Sequence, residues 1–272
     1  MHVRAMALAL LLVLAATSTV ASAQRRGFRN AACMSGWDPQ NYFISPFFQG
    51  NTPYDGRVTF ARIKYQGNYE CGSEGPGWAH DYPRTDSHFM RILKELSSVR
   101  VFVERPPMLG SVLVRLDEPE MLSYPIAYLS EPGGWILTDA EQRGLKRYIE
   151  HGGFIIFDDI EGDPNPDYRN LLTQWRRVFP TSRPVQLTND HPIFNSFFRV
   201  DLSKIPSKMG RVAAEYWGFF EDNDPSKRLV AIIDNYADVG ELIEFSDEGF
   251  NAVPANEAYK LWVNYFVYAL TH

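Results

Sequence analysis

Two cysteines, no surplus of basic charge and no apolar run of membrane length beyond the first 23 residues set the first limits on this 272-residue chain. The formal charge is −6, with acids and bases interspersed and no basic stripe, which argues against nucleic acid as a partner. There is no G-x-S-x-G elbow, no H-E-x-x-H, no GxxxxGK[ST] and no GxGxxG. These absences remove the serine-hydrolase elbow, the zincin helix, the phosphate loop and the dinucleotide turn. No internal repeat or low-complexity tract is present, so a solenoid is excluded.

What is present begins with a leader. Arg4, the apolar run Ala5 to Ala16 and the small-residue signal Ala21-Ser22-Ala23 predict a secretory signal peptide over residues 1–23, cut before Gln24. The expected location is exported, periplasmic or extracellular, with no transmembrane segment after cleavage. In an oxidising compartment Cys33 and Cys71 are a disulfide candidate, worth about 4 kcal/mol on the chain-entropy model. The alternative is two unpaired thiols. Residues 24–56, rich in Gly, Asn, Pro and aromatics, predict an irregular arm, and residues 57–272 a single α/β domain.

Within that domain, Arg57 to Tyr65 predicts a strand, and Gln66 to Arg84 a long loop. A helix is expected over Ser87–Ser98, capped by Thr85 or Asp86, because Phe89, Leu93 and Leu96 recur at helical spacing. Val99–Val103, Ser111–Leu116 and Pro125–Leu129 read as short strands. Thr138 and Glu141 form a capping box for a helix that Gly152-Gly153 stops. The strand Phe154–Phe157 follows, and then a helix from Pro166 with Asn165 as its cap. Val185–Leu187, Arg228–Asp234 and Leu242–Phe245 read as further strands, and Glu257–Leu270 as a closing helix. Alternating strands and helices predict a mostly parallel sheet covered on both faces.

The most informative stretch is Gly152-Gly153-Phe154-Ile155-Ile156-Phe157-Asp158-Asp159, a buried strand that ends in two carboxylates. Ligands in open α/β sheets bind at the carboxyl ends of strands, so Asp158 and Asp159 mark a candidate site. Oxygen-bearing side chains continue at Glu161, Asp163, Asn165 and Asp167, and Asp159, Glu161 and Asp163 are candidate ligands for a divalent cation such as Ca²⁺. Pro164 and Asn170 break the EF-hand pattern. The plainer reading is a solvated acidic loop whose end caps the next helix. His191, in Asp190-His191-Pro192-Ile193, is a candidate ligand or general base to act with Asp159, or else part of a helix start. Tyr65, Asn68, His80, Asp81 and Arg84 give the first long loop a mix of rings and polar groups that suits a glycan or peptide.

These pieces in this order resemble a bacterial family, the domain-of-unknown-function 4159 family. The resemblance rests on Tyr65-Gln66-Gly67, Pro83-Arg84, the Gly-Gly-strand-Asp-Asp run, Asp190-His191-Pro192-Ile193-Phe194 and the closing Ala269-Leu270-Thr271. It implies a class I glutamine-amidotransferase-like fold, a flavodoxin-like three-layer sandwich, and association with the cell envelope. It implies no activity. Where amidotransferases of that superfamily place a cysteine nucleophile, this chain has Asp158 or Asp159, and no His-x-Glu pair follows at His191. Thiolate chemistry is therefore not expected. Three functions stand as expectations: binding of a small molecule or glycan at the carboxyl edge of the sheet, hydrolysis by Asp159 and His191 with or without a cation, and docking of an envelope protein on the aromatic arm.

Overall fold

The structure is a computed structural model that describes residues 50–67, 76–102, 110–210, 212–248 and 252–272. The leader, most of the arm, Asn68, Cys33 and Cys71 lie outside the described residues. Among the described residues nine strands form: β1 (Phe60–Ile63), β2 (Gln66–Gly67), β3 (Ser111–Val114), β4 (Ile126–Ser130), β5 (Trp135–Ile136), β6 (Phe154–Ile160), β7 (Val185–Gln186), β8 (Glu215–Phe220) and β9 (Leu229–Asn235). The α-helices are α1 (Arg84–Leu96), α2 (Asp139–Glu150), α3 (Pro166–Val178), α4 (Val239–Glu244) and α5 (Ala252–Thr271).

Seven strands make one sheet in the order β3-β1-β4-β6-β9-β8-β7. The first five run parallel; β8 is antiparallel to β9, and β7 to β8. β2 and β5 pair separately. The parallel strands are buried on both faces, which is why they read as continuous apolar runs. In β6, Ile155 and Phe157 pack with Leu145 and Tyr148 of α2 and Leu171 and Trp175 of α3. Phe154 and Ile156 point the other way, towards Phe89 and Leu93 of α1 and Leu261, Trp262 and Phe266 of α5. The result is helix, sheet, helix. No helix among the described residues is long and apolar enough to cross a membrane.

The capping box forms as expected: Thr138 Oγ1 accepts from Glu141 N (3.2 Å), and Glu141 accepts from Thr138 N (2.9 Å). Asn165 Oδ1 accepts from Asp167 N (2.9 Å) at the start of α3. Gly152 takes φ +93°, the left-handed turn that ends α2.

Other expectations are corrected. α1 begins at Arg84, and its flanking Pro83 offers no side-chain cap. Thr85 and Asp86 are inside the helix, where Thr85 Oγ1 donates to Gly240 O (2.8 Å) and Asp86 takes a buried arginine. Leu242–Phe245 is not a strand: Asp238 caps Glu241 N (3.0 Å), and Val239–Glu244 is α4. Val99–Val103 shrinks, among the described residues, to a single bridge between Val58 and Val101. The antiparallel β8 was not foreseen. Its sequence, Glu-Tyr-Trp-Gly-Phe-Phe, alternates only weakly, although Asp222-Asn223-Asp224-Pro225 marks the turn that follows it.

Candidate functional site

The carboxyl edge of the sheet is built by the residues that follow β1, β4, β6 and β9. Its organising element is a residue that sequence reasoning passed over. Arg62 lies in β1 with no solvent exposure. Its guanidinium meets Asp86 through Nε (3.1 Å) and Nη2 (2.5 Å), and Nη1 donates to the carbonyls of Trp78 (3.0 Å) and His80 (2.9 Å). The Tyr128 ring lies 4.6 Å from the guanidinium carbon. One buried cation thereby clamps the loop that carries His80. An arginine at the centre of the apolar run Phe60-Ala61-Arg62-Ile63 was the available signal, because a buried charge requires a partner.

Tyr65 and Asp158 also serve as supports. The buried Tyr65 hydroxyl donates to the carbonyls of Glu131 (2.6 Å) and Ser130 (3.0 Å), so it positions the end of β4. Asp158 has no exposed surface. Its carboxylate accepts from Val239 N (3.1 Å), Gly240 N (2.7 Å) and the Tyr128 hydroxyl (3.1 Å), which pins α4 to the sheet. A Cβ on Gly240 would lie 2.7 Å from Asp81 Oδ2, 2.8 Å from the Tyr128 hydroxyl and 3.2 Å from Asp158 Oδ2. Only glycine fits beneath this group of oxygens.

Asp159 differs from its neighbour. The register of β6 against β9 shifts between Phe157 and Ile160, and Asp159 takes φ +59°. The bulge turns its carboxylate out of the ladder. Oδ1 accepts from Lys208 Nζ, and Oδ2 lies 3.6 Å from His80 Nδ1. His80 Nδ1 is also 3.4 Å from Glu131 Oε1. One ligand atom from each of His80, Glu131 and Asp159 falls within 4.8 Å of the others. The side chains of His80 and Glu131 keep 31% and 23% of their exposure and that of Asp159 only 2%, so the cluster has a buried floor and an open side.

Backbone strain gathers here as well. Of the six non-glycine residues with positive φ among the described residues, Asp81, Glu131, Asp159 and Tyr236 stand at this edge; Asp222 and Asn223 form the β8–β9 turn. Such conformations cost roughly 1–3 kcal/mol each and persist where the surroundings enforce them. Beneath the cluster lies a layer of acids. Burial, then the charge of Asp238, pushes Asp81 up to about 9, and its Oδ2 makes no hydrogen bond. Burial pushes Asp158 up to about 6 against the pull of the two amides. Burial and the nearby Asp158 raise Asp238 to about 7, and the same two causes in that order hold Asp234 well above the carboxylate range.

The remaining expected residues are dispersed. Glu161 accepts from the Asn165 side chain, and Asp163 pairs with Arg169 on the surface (3.2 Å). The alternating oxygens after β6 therefore do not converge, and Asp159 finds its companions in the segments that follow β1 and β4. An imidazole in the donor set favours Mn²⁺ or Zn²⁺ over the Ca²⁺ expected from oxygens alone. Arg84 binds Asp247 (2.7 Å) and Glu248 (2.8 Å), which ties α1 to the turn after α4. His191 sits at the opposite edge. Its Nδ1 accepts from Ile193 N (3.3 Å), and its ring lies 6.1 Å from Phe220 and 5.9 Å from Tyr268, which in turn packs on Phe154 at the start of β6. From Phe154 to Asp159 the strand rises about 17 Å. His191 and Asp159 therefore cannot act together, and the hydrolase built on that pair is overturned. Glu131 was missed although it follows a predicted strand. Lys208 comes from the irregular stretch between β7 and β8 and carried no signal.

The fold and this edge define an α/β protein with a mixed-charge cluster where its parallel strands end. The sequence model described as Domain of unknown function (DUF4159) matches residues 59–270, and the chain belongs to that family. No curated protein matches it.

Proposed function

We propose that this chain is an exported protein that binds a ligand at the carboxyl edge of its sheet through a divalent cation held by His80 Nδ1, Glu131 and Asp159. The observation that carries the reading is the convergence of three ligand atoms, from three separate segments, within 4.8 Å. Three protein ligands of this kind leave coordination positions open for a second molecule. The five parallel strands, numbered among themselves along the chain, run 2-1-3-4-5 across the sheet. That is the flavodoxin-like order, in which ligands gather between the first and third strands, here β1 and β4. His80 follows β1 and Glu131 follows β4. The leader over residues 1–23 supports export. The strand end carries Asp159 rather than a thiol, so the reading includes no amidotransferase step.

Titration of the mature protein with Mn²⁺ and with Zn²⁺, followed by calorimetry, tests it. A single site is expected, weakened at least tenfold by Asp159→Asn or Glu131→Gln and unchanged by His191→Ala. At a hundredfold excess over Kd the cation should stabilise the fold by about 2.7 kcal/mol. No binding, or binding indifferent to Asp159→Asn, would remove the cation from the site.

A further inference from the structure

Lys208 sits beside this cluster without being able to ligate it. The residue is tied twice: its backbone N donates to Tyr236 O (2.9 Å), and its ammonium donates to Asp159 Oδ1. The second oxygen of the same carboxylate faces His80. A cation held through Oδ2, His80 and Glu131 therefore leaves the Lys208 ammonium in place on Oδ1. Two positive groups then share one carboxylate.

The charges at the site do not cancel in that state. The divalent ion and Lys208 bring three positive charges, and Asp159 and Glu131 return two, with His80 neutral as a ligand. Within this shell one positive charge is left over; in the layer below, the Asp158 carboxylate is taken up by the amides of Val239 and Gly240 and the Tyr128 hydroxyl. The surplus is positive, and it lies on the open side, where Lys208 keeps 26% of its side-chain exposure. An ammonium has three donors, and Asp159 takes one. With a metal–oxygen distance of about 2.1 Å and an ammonium–oxygen distance of about 2.8 Å, the ion and Nζ stand on the order of 5 Å apart, a gap that two oxygens of one anion can bridge.

We infer that the ligand of this edge carries an oxyanion, a carboxylate or a phosphate group, that bridges the bound cation and Lys208. The inference rests on the cation reading above and adds the class of ligand. It makes Lys208 a ligand-binding residue and leaves the metal to the other three.

The test is calorimetric titration of Mn²⁺ into the mature protein, alone and with acetate or methylphosphonate at a fixed millimolar concentration. In the unmutated protein either anion, or one of the two, should tighten Mn²⁺ binding at least fivefold; the stronger arm identifies the carboxylate or the phosphate class. Lys208→Met should bind Mn²⁺ alone as well as the unmutated protein or more tightly, and should lose the anion effect. Lys208→Arg should restore part of it. A thermal melt without metal checks that both variants fold. An anion effect of equal size in Lys208→Met, or none in the unmutated protein, overturns the bridge while the cation site stands. Failure of every form to bind Mn²⁺ overturns the cation site and the bridge together.

Discussion

The two edges of the sheet are made from similar residues and behave differently. At the amino edge polar groups are spent on closing the fold. Arg228 donates to the carbonyls of Gly153 (3.0 Å) and Ile149 (2.8 Å), the Tyr148 hydroxyl donates to Phe154 O (3.1 Å), and the His191 imidazole serves as a helix cap among aromatic rings. A cavity of about 400 Å³ lies between the ends of α2 and α3 there, floored by Trp175 and Phe179, with Arg228 and Glu221 among its lining residues. At the carboxyl edge the same residue types are held in strained backbone, with carboxylates raised by burial and one carboxylate oxygen of Asp81 left without a hydrogen bond. The lesson is that a histidine near an acid in sequence says nothing until the edge is known. His191 follows Asp190 and ends in packing. His80 precedes Asp81 and faces two carboxylates from other strands.

The contrast can be broken at its strongest point by replacing one arginine at each edge. Arg62→Met leaves Asp86 as an uncompensated buried charge and should cost about 3–5 kcal/mol in denaturant unfolding. Arg228→Met removes donors from two neutral carbonyls without leaving a buried charge, and should cost about 1 kcal/mol. Equal losses would mean that the carboxyl edge is no more finely balanced than the amino edge. Next in size is Asp158→Ala, which strips the acceptor from two buried amides and the Tyr128 hydroxyl. A loss of about 3 kcal/mol is expected, against much less for Asp159→Ala one residue on, whose partner Lys208 is solvated. If the two alanine variants unfold alike, the division between a supporting Asp158 and a ligand-facing Asp159 is wrong.

A smaller effect should appear in the pH dependence of stability. A carboxyl whose folded pKa exceeds its unfolded value binds the extra proton in the native state, so its contribution is present at low pH and is lost as pH rises through the folded pKa. For Asp238 that window runs from 3.8 to about 7. Asparagine keeps the cap on Glu241 N and removes the proton. Stability of Asp238→Asn, followed by thermal melts from pH 4 to pH 8, should fall less steeply across that window than in the unmutated protein. At the amino edge the half-buried His191 has its pKa lowered, chiefly by burial, so His191→Ala should flatten the opposite slope, the gain in stability on rising towards pH 6.5. Parallel profiles for the two variants would contradict the difference between the edges.

Much of this was legible along the chain. The capping box at Thr138, the Asn165 cap, the Gly152 stop and the β6 run each depend on neighbours within four residues, and all of them form. The same local logic failed at Thr85 and Asp86, which look like caps and instead answer Gly240 and Arg62 from 155 and 24 positions away. It failed at Leu242–Phe245, where an apolar run too short to tell strand from helix was decided by the Asp238 cap. Of the site, Asp159 and His80 were found from strand ends and loop chemistry. Glu131 obeys the same strand-end rule and was passed over. Lys208 had no pattern to betray it.

By itself the sequence determined the class of the fold, the edge at which to look and the pair of acids that closes the β6 run, because alternation, caps and strand-end acids are short-range properties of the chain. Only the tertiary structure decided which groups meet. His80, Glu131, Asp159 and Lys208 are spread over 128 positions between first and last. They converge because parallel strands, joined through crossovers, bring their carboxyl ends to one side of the sheet, while the same geometry carries His191 to the other.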